Sequence, residues 1–163
     1  MLFRSYTYCA SANVIIHAGA KPVLVDINSE DFNINVENVK AAITPKTKAI
    51  LAVDIGGLPC DYTELMKLVS SPEVVQKFEA SNPLQEKLGR IIVLSDAAHS
   101  FGARMNNTPA ASLADISTFS FHAVKNLTTA EGGALCFNLP DAFDHDEIYR
   151  DMCVKILHGQ NKD

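Results

Sequence analysis

The stretch that decides the fold is IIVLSD at residues 91–96, four consecutive apolar residues that end in a serine and an aspartate. An uninterrupted apolar run of this length is typical of a strand that is buried on both faces of a parallel sheet. Similar runs at Pro22–Val25 and Ala49–Val53 come before it, and weaker strand signals at Asp115–Phe121 and Ala134–Phe137 follow. The sequence therefore predicts several short strands, most of them parallel.

Helical patterns alternate with these strands, and Val36–Ile43 shows apolar residues at the spacing of one helical face. They cover Ser11–Ala18, Val36–Ile43, Tyr62–Val69, Glu73–Ala80 and Asp146–Leu157. The polar stretch at residues 70–90 is interpreted as a surface insertion around the fourth of these helices. Strands that alternate with helices predict an α/β fold, in this case a three-layer α/β/α sandwich with a mostly parallel sheet.

Composition excludes several classes of function. The 163 residues fit one domain, and 14 basic against 19 acidic residues with no basic run argue against a nucleic-acid partner. No apolar run is long enough to span a bilayer, so no membrane partner is expected. Four widely spaced cysteines without a C-x-x-C pair indicate reduced thiols in a cytoplasmic protein. The acidic cluster Asp144-His145-Asp146 is interpreted as a solvated loop, and no metal is expected.

Ligands gather at the carboxyl ends of the strands in a parallel sheet, and three aspartates follow predicted strands there. They are Asp26, Asp54 and Asp96. A lone aspartate after a buried strand commonly caps the next helix. The alternative is a carboxylate that faces the protonated ring nitrogen of a cofactor, because a partly buried carboxylate needs a cation or several donors. Asp96 taken alone leaves both interpretations open.

Lys125 is the only lysine or arginine between Arg104 and Arg150. Most lysines are surface cations, but one among apolar neighbours loses hydration and becomes available as a nucleophile. Ser120 stands five residues before Lys125, near the end of the predicted strand that follows Asp96. This combination suits pyridoxal 5'-phosphate (PLP), which requires a lysine for its Schiff base, a carboxylate for its ring nitrogen and a hydroxyl for its phosphate.

Four segments carry a resemblance to a known family. They are YTYCASAN at residues 6–13, GAKPVLVD at 19–26, DAAH at 96–99 and STFSFHAVKNLTTAEGG at 117–133. Together they closely resemble the nucleotide-sugar aminotransferases of the DegT/DnrJ/EryC/StrS family. The resemblance runs from about residue 6 to residue 159 and is most specific around Lys125. It implies the large domain of the type I PLP-dependent transferase (aspartate aminotransferase-like) fold.

The resemblance implies roles for five residues. Lys125 matches the Schiff-base lysine, which also acts as general acid and base. Asp96 matches the partner of the pyridine nitrogen, and Ser120 matches the serine that binds the phosphate. Tyr8 falls where the family places an aromatic residue against the cofactor ring. His99 falls where the family carries Gln or His beside the cofactor, although a purely structural histidine remains an alternative.

The resemblance also implies a reaction and its partners. An amino-acid donor, glutamate, would supply the amino group for a keto group on a nucleotide-linked deoxysugar. Related dehydratases of this fold have histidine in place of the lysine, so Lys125 favours transamination. The expected setting is a bacterial polysaccharide or antigen-sugar pathway, with a homodimer as the full-length enzyme.

The chain also departs from the family pattern. Relatives are longer at both ends, so residues 1–163 are expected to form a single, incomplete PLP-binding large domain without the N-terminal segment and the C-terminal small domain. Residues 1–4 are interpreted as junction sequence, and Asp54 stands where the family commonly has histidine. The chain alone is therefore expected to bind PLP weakly or not at all and to show no turnover.

Two other interpretations compete with an aminotransferase core. One is a non-catalytic truncated or regulatory remnant that keeps the fold without binding PLP. The retention of the lysine, the aspartate, the serine and the tyrosine together argues against it. The other is a general nucleotide-binding domain. It is disfavoured because the sequence contains neither of the Gly-rich phosphate-loop patterns G-x-G-x-x-G and G-x-x-x-x-G-K-[ST].

Overall fold

A computed structural model describes residues 1–157 and 159–160 as an α/β sandwich built on a six-stranded sheet. The sheet strands are β1 (Leu2–Arg4), β2 (Val23–Val25), β3 (Ala49–Val53), β4 (Ile92–Asp96), β7 (Ile116–Ser120) and β8 (Gly133–Phe137), and a separate hairpin pairs β5 (Arg104–Met105) with β6 (Thr108–Pro109). The helices are α1 (Cys9–His17), α2 (Val36–Ala42), α3 (Tyr62–Ser70), α4 (Pro72–Lys77), α5 (Pro83–Leu88) and α6 (His145–Ile156).

The sheet is mostly parallel, as predicted. Its strand order is β2-β1-β3-β4-β7-β8, and only β8 runs antiparallel to its neighbour. Val53 at the end of β3 pairs with Asp96 on β4, and Asp96 pairs in turn with Thr118 on β7. The central strands therefore reach their carboxyl ends side by side.

The interpretation of residues 1–4 as junction sequence is wrong. Leu2–Arg4 forms β1, which lies between β2 and β3, and all three of its residues are buried. The Arg4 guanidinium has no exposure and donates to the carbonyl oxygen of Val53 at 2.7 Å and to that of Phe32. These residues are integral to the centre of the sheet.

The structure also corrects the predictions for β2 and for residues 70–90. The predicted burial of β2 is wrong for Val23 and Leu24, which are exposed because this edge strand pairs only with β1. The fourth predicted helix, Glu73–Ala80, appears as the shorter α4, and α5 was not predicted. Val74 of α4 is buried in the main core, so this segment is more than a surface insertion.

Helices cover both faces of the sheet. On one face α2, α3 and α4 form the main core, in which Val39, Leu65, Val69 and Val74 pack with the strand residues Ile50 and Val93. On the other face Ile15 of α1 packs with Phe3 and Leu51. Three layers are therefore present, as the sequence predicts. Within residues 1–157 and 159–160, no helix combines the length and apolar character needed to cross a bilayer.

Candidate functional site

Two polar side chains lie on one face of the sheet where β4 and β7 end. Asp96 pairs with Thr118, and Ser120 follows two residues later, so alternation along β7 puts Ser120 on the same face as Thr118. Strand spacing and rise give a Cα–Cα separation of about 8 Å between Asp96 and Ser120. Both residues line a cavity of about 420 Å³ together with Ala10 and Ser11 of α1.

The Asp96 carboxylate is held by hydrogen bonds from two directions. The Ser11 hydroxyl donates to Oδ2 at 2.9 Å, and the Ala98 backbone N–H donates to Oδ1 at 3.3 Å. Residues 97–99 form a turn instead of a helix, so the helix-cap interpretation of Asp96 is wrong. None of the ion pairs among the described residues includes Asp96. The carboxylate therefore faces the cavity with acceptor capacity left.

Ser11 is a site residue that the sequence did not reveal. Tyr8 is the N-cap residue of α1, and Ser11 lies inside the helix. The side chain is buried, and its oxygen lies 3.0 Å from the Thr7 hydroxyl as well as near Asp96. No local signal distinguishes such a serine from an ordinary cap.

Lys125 and His99 meet at the same edge of the sheet. Lys125 is half-buried in the turn after β7, and its Nζ lies 3.0 Å from Nε2 of the exposed His99. A protonated amine has no lone pair, so in that state Nε2 of His99 accepts the hydrogen bond and the ring proton occupies Nδ1. The contact joins the segment after β4 to the segment after β7.

Hydrogen bonds close the loop that carries Lys125 and attach it to the segment after β4. The Phe121 backbone N–H donates to the Gly132 carbonyl oxygen at 2.8 Å, which closes the loop at its base. The Asn126 side-chain amide donates to the Phe101 carbonyl oxygen at 2.8 Å. Since Phe101 belongs to the segment after β4, Asn126 fixes the position of Lys125 relative to that segment.

Tyr8 stands apart from the other predicted site residues. It occupies the N-cap position of α1, and its side chain is 79% exposed. It does not line the cavity, although Ala10 and Ser11 just after it do. The structure therefore brings together Asp96 with Ser120 in the cavity and Lys125 with His99 outside its lining, and it leaves Tyr8 apart from both pairs.

The other two strand-end aspartates do not face the cavity. Asp26 is exposed and accepts a hydrogen bond from the Ser5 hydroxyl at 3.1 Å. Asp54 is completely buried, and this burial raises the pKa of its carboxyl group although Ser100 and Tyr62 donate hydrogen bonds to it. Of the three aspartates, only Asp96 lines the cavity.

The acidic cluster after Pro140 is exposed but forms the start of α6, so its interpretation as a loop is wrong. The Asp144 side chain accepts a hydrogen bond from the Glu147 backbone N–H at 2.9 Å and caps α6. Across the described part of the chain, no group of three or more His, Cys, Asp or Glu side chains is placed to hold a metal ion.

The fold and the site together define a class of protein. This is a three-layer α/β protein with a cavity at the carboxyl edge of its parallel sheet, lined by the Asp96 carboxylate and the Ser120 hydroxyl, and the contact between Lys125 and His99 lies outside the residues that line it. The chain belongs to the DegT/DnrJ/EryC1/StrS aminotransferase family, whose model matches residues 1–162. The family predicted from the sequence is thus confirmed.

Relatives and solved structures agree with this assignment. The chain is 35% identical over 159 residues to the GDP-perosamine synthase of Caulobacter vibrioides, covering 98% of this chain and 36% of that protein. It is 34% identical over 156 residues to the spore coat polysaccharide biosynthesis protein SpsC of Bacillus subtilis, covering 96% of this chain and 34% of SpsC. Spr1654 of Streptococcus pneumoniae, described as a sugar aminotransferase and solved in its PLP form, superposes with a TM-score of 0.92 at 40% identity, covering 99% of this chain and 41% of that one. The chain therefore spans roughly a third to two fifths of the length of these proteins.

Proposed function

We propose that this chain carries the cofactor site of a PLP-dependent sugar aminotransferase. The reaction would transfer an amino group from an amino acid, glutamate, to a keto group of a nucleotide-linked deoxysugar. The observation that carries the proposal is the shared cavity of Asp96 and Ser120 next to the Lys125–His99 contact. Membership of an aminotransferase family supports the type of reaction, and the GDP-perosamine synthase relative supports the class of substrate.

The chemistry of the cavity suits PLP. A carboxylate without a cationic partner among the described residues, held by Ser11 and open to the cavity, suits a protonated ring nitrogen. The Ser120 hydroxyl suits the phosphate. The separation of about 8 Å between the two positions suits a small ring with a cationic nitrogen and an anionic arm.

The lysine and the two rings complete the proposed site. The Lys125 amine would hold the cofactor covalently. The His99 ring, which now contacts Nζ of Lys125 at 3.0 Å, would lie beside the cofactor. Tyr8 would pack its flat ring against the cofactor ring, and its high exposure leaves that face free for such a contact.

The roles of the protein groups follow from their positions. When bound, PLP supplies an electron-accepting ring that stabilises negative charge on the substrate carbon next to the amino nitrogen. Asp96, oriented by Ser11, would keep a proton on the ring nitrogen. Nζ of Lys125 would act as general base and then general acid for the proton shift at the substrate carbon. His99 would orient that amine through the hydrogen bond to Nζ.

The complete enzyme is proposed to be a cytoplasmic homodimer in a bacterial polysaccharide or antigen-sugar pathway, and residues 1–163 to be part of its large domain. The SpsC relative supports the polysaccharide setting. In the chain as it stands Tyr8 is 79% exposed, so solvent reaches the face on which the cofactor would stack. We therefore expect weak capture of PLP and no turnover by these 163 residues alone.

A binding titration tests this site without requiring turnover. PLP is titrated into the chain and the bound fraction is measured by equilibrium dialysis. Asp96→Ala is expected to weaken binding by about tenfold or more, because it removes a charge-assisted contact. Asp26→Ala is the matched control, since Asp26 also follows a strand but lies outside the cavity. Equal effects of the two substitutions would contradict the proposed site.

A further inference from the structure

Asp54 is a buried carboxylate at the centre of a hydrogen-bond network next to the candidate site. It follows β3 directly and has no exposure. Its Oδ1 accepts from the Tyr62 hydroxyl at 2.6 Å and from the Cys60 backbone N–H at 3.1 Å. Its Oδ2 accepts from the Ser100 hydroxyl at 2.5 Å. The carboxylate therefore links α3 and the loop before it to the segment that follows β4.

The turn at residues 97–100 is fixed on the side that faces Asp54. The Ser100 backbone N–H donates to the Ala97 carbonyl oxygen at 3.0 Å, while the Ser100 hydroxyl reaches Asp54. Gly57 lies against the same turn with φ of +87°, and a Cβ at this position would come within 2.8 Å of the His99 carbonyl oxygen. Asp54, through the Ser100 hydroxyl, and Gly57, through the His99 carbonyl, therefore both contact the turn that carries His99.

His99 lies inside this turn, and its ring contacts the loop that follows β7. The ring reaches Nζ of Lys125 at 3.0 Å, and two side-chain torsions separate that ring from the backbone. A hydrogen bond of this length is lost when the backbone moves by about 1 Å, so the position of the turn decides whether the contact forms.

We propose that Asp54 is a positioning residue, which holds the turn at residues 97–100 through Ser100 so that His99 reaches Lys125. The assignment of His99 and Lys125 to a cofactor site rests on the proposed function. The contact between them is a property of the chain without cofactor, and it can be measured separately.

The alternative is that Asp54 only stabilises the core. Two substitutions separate the two roles, because each removes one hydroxyl that donates to the same carboxylate. Ser100→Ala breaks the link to the turn, whereas Tyr62→Phe breaks the link to α3 and leaves the turn attached. A purely structural role predicts similar consequences of both substitutions for His99.

The test measures the His99–Lys125 contact by NMR. In the chain with no other substitution, Lys125→Met should shift the NMR signal of the His99 ring protons, and this shift is the response that is measured. The His99 signal is identified by its loss in His99→Gln. In the Ser100→Ala background this response should be lost, since the hydrogen bond that holds the turn to Asp54 is gone. In the Tyr62→Phe background it should persist. A response that survives Ser100→Ala, or that falls equally in both backgrounds, would overturn the proposal.

Gly57→Ala provides a second perturbation that leaves every hydroxyl of the network in place. The added Cβ would press on the His99 carbonyl oxygen, so the response to Lys125→Met should again be lost. A folded Gly57→Ala chain with a normal response would contradict the proposed role of the turn position. If the His99 signal responds to Lys125→Met as expected but PLP does not bind, the result counts against the proposed function. The positioning role of Asp54 is not affected by that result.

Discussion

The ion pair between Arg90 and Asp115 offers a quantitative test of how the sheet places the site. Nη1 of Arg90 donates to Oδ2 of Asp115 at 2.8 Å, and Nη2 donates to Oδ1 at 2.6 Å. Asp115 has no exposure and also accepts from the Val93 backbone N–H at 2.8 Å. Arg90 lies just before β4 and Asp115 just before β7, so the pair fixes the two strands that end in Asp96 and Ser120.

Arg90→Met removes the cation and leaves the Asp115 carboxylate buried with only a backbone donor. Removing one partner of a buried pair costs about 3–5 kcal/mol. With a urea dependence of about 2 kcal/mol per molar, the unfolding midpoint should fall by about 2 M at an unchanged slope. Urea titration followed by circular dichroism measures both quantities.

The control for this prediction is Lys67→Met, which breaks an exposed ion pair with Glu64. Such surface pairs contribute about 0–1 kcal/mol, so its midpoint should move by roughly 0.5 M at most. A shift for Arg90→Met as small as that for Lys67→Met would refute the view that this pair fixes the two strands.

Three further predictions concern single groups. Burial raises the pKa of the Cys60 thiol to about 12, so at pH 8 a thiol reagent should label the exposed Cys9 and leave Cys60 unlabelled until the chain is unfolded. Burial also raises the pKa of Asp54. The folded chain therefore retains a proton that the unfolded chain releases near pH 4. Because of this difference, the contribution of Asp54 to the free energy of unfolding falls as pH rises above about 4. Asp54→Asn should remove that slope, and urea titrations at pH 4 and pH 7 should show the variant gaining stability relative to the native chain as pH rises. Asp61→Ala removes the side-chain acceptor for the Glu64 backbone N–H at the start of α3 and should cost about 1 kcal/mol in thermal unfolding, while Thr63→Ala as a control should change little.

The elements that the sequence predicts well are those with a strong local pattern. The runs in β3 and β4 are continuously apolar because these central strands are covered on both faces. Leu2–Arg4 is too short to show a periodicity, and its place in the sheet depends on pairing with β2 and β3. Helix α5 has no clear sequence signal because a proline can end a helix as well as begin one, and here Pro83 stands in the first turn after the N-cap Asn82.

The candidate site likewise contains residues that a local sequence pattern predicts and residues that it does not. Asp96 and Lys125 could be predicted near one another because both follow neighbouring strands of a parallel sheet. The hydrogen bond from Ser11 to Asp96 joins residues 85 positions apart, and no local pattern reports it. The burial of Asp54 was equally hidden, since a strand-end aspartate is as compatible with a ligand site as with an internal network.

The most direct test of a cofactor site in this chain is to add PLP, reduce with borohydride and map the modified peptides by mass spectrometry. The proposed site predicts a pyridoxyl group on Lys125 that is lost in Lys125→Arg and retained in Lys87→Arg, a control at an exposed lysine. Labelling spread over exposed lysines, or no labelling at all, would contradict a PLP site in these 163 residues.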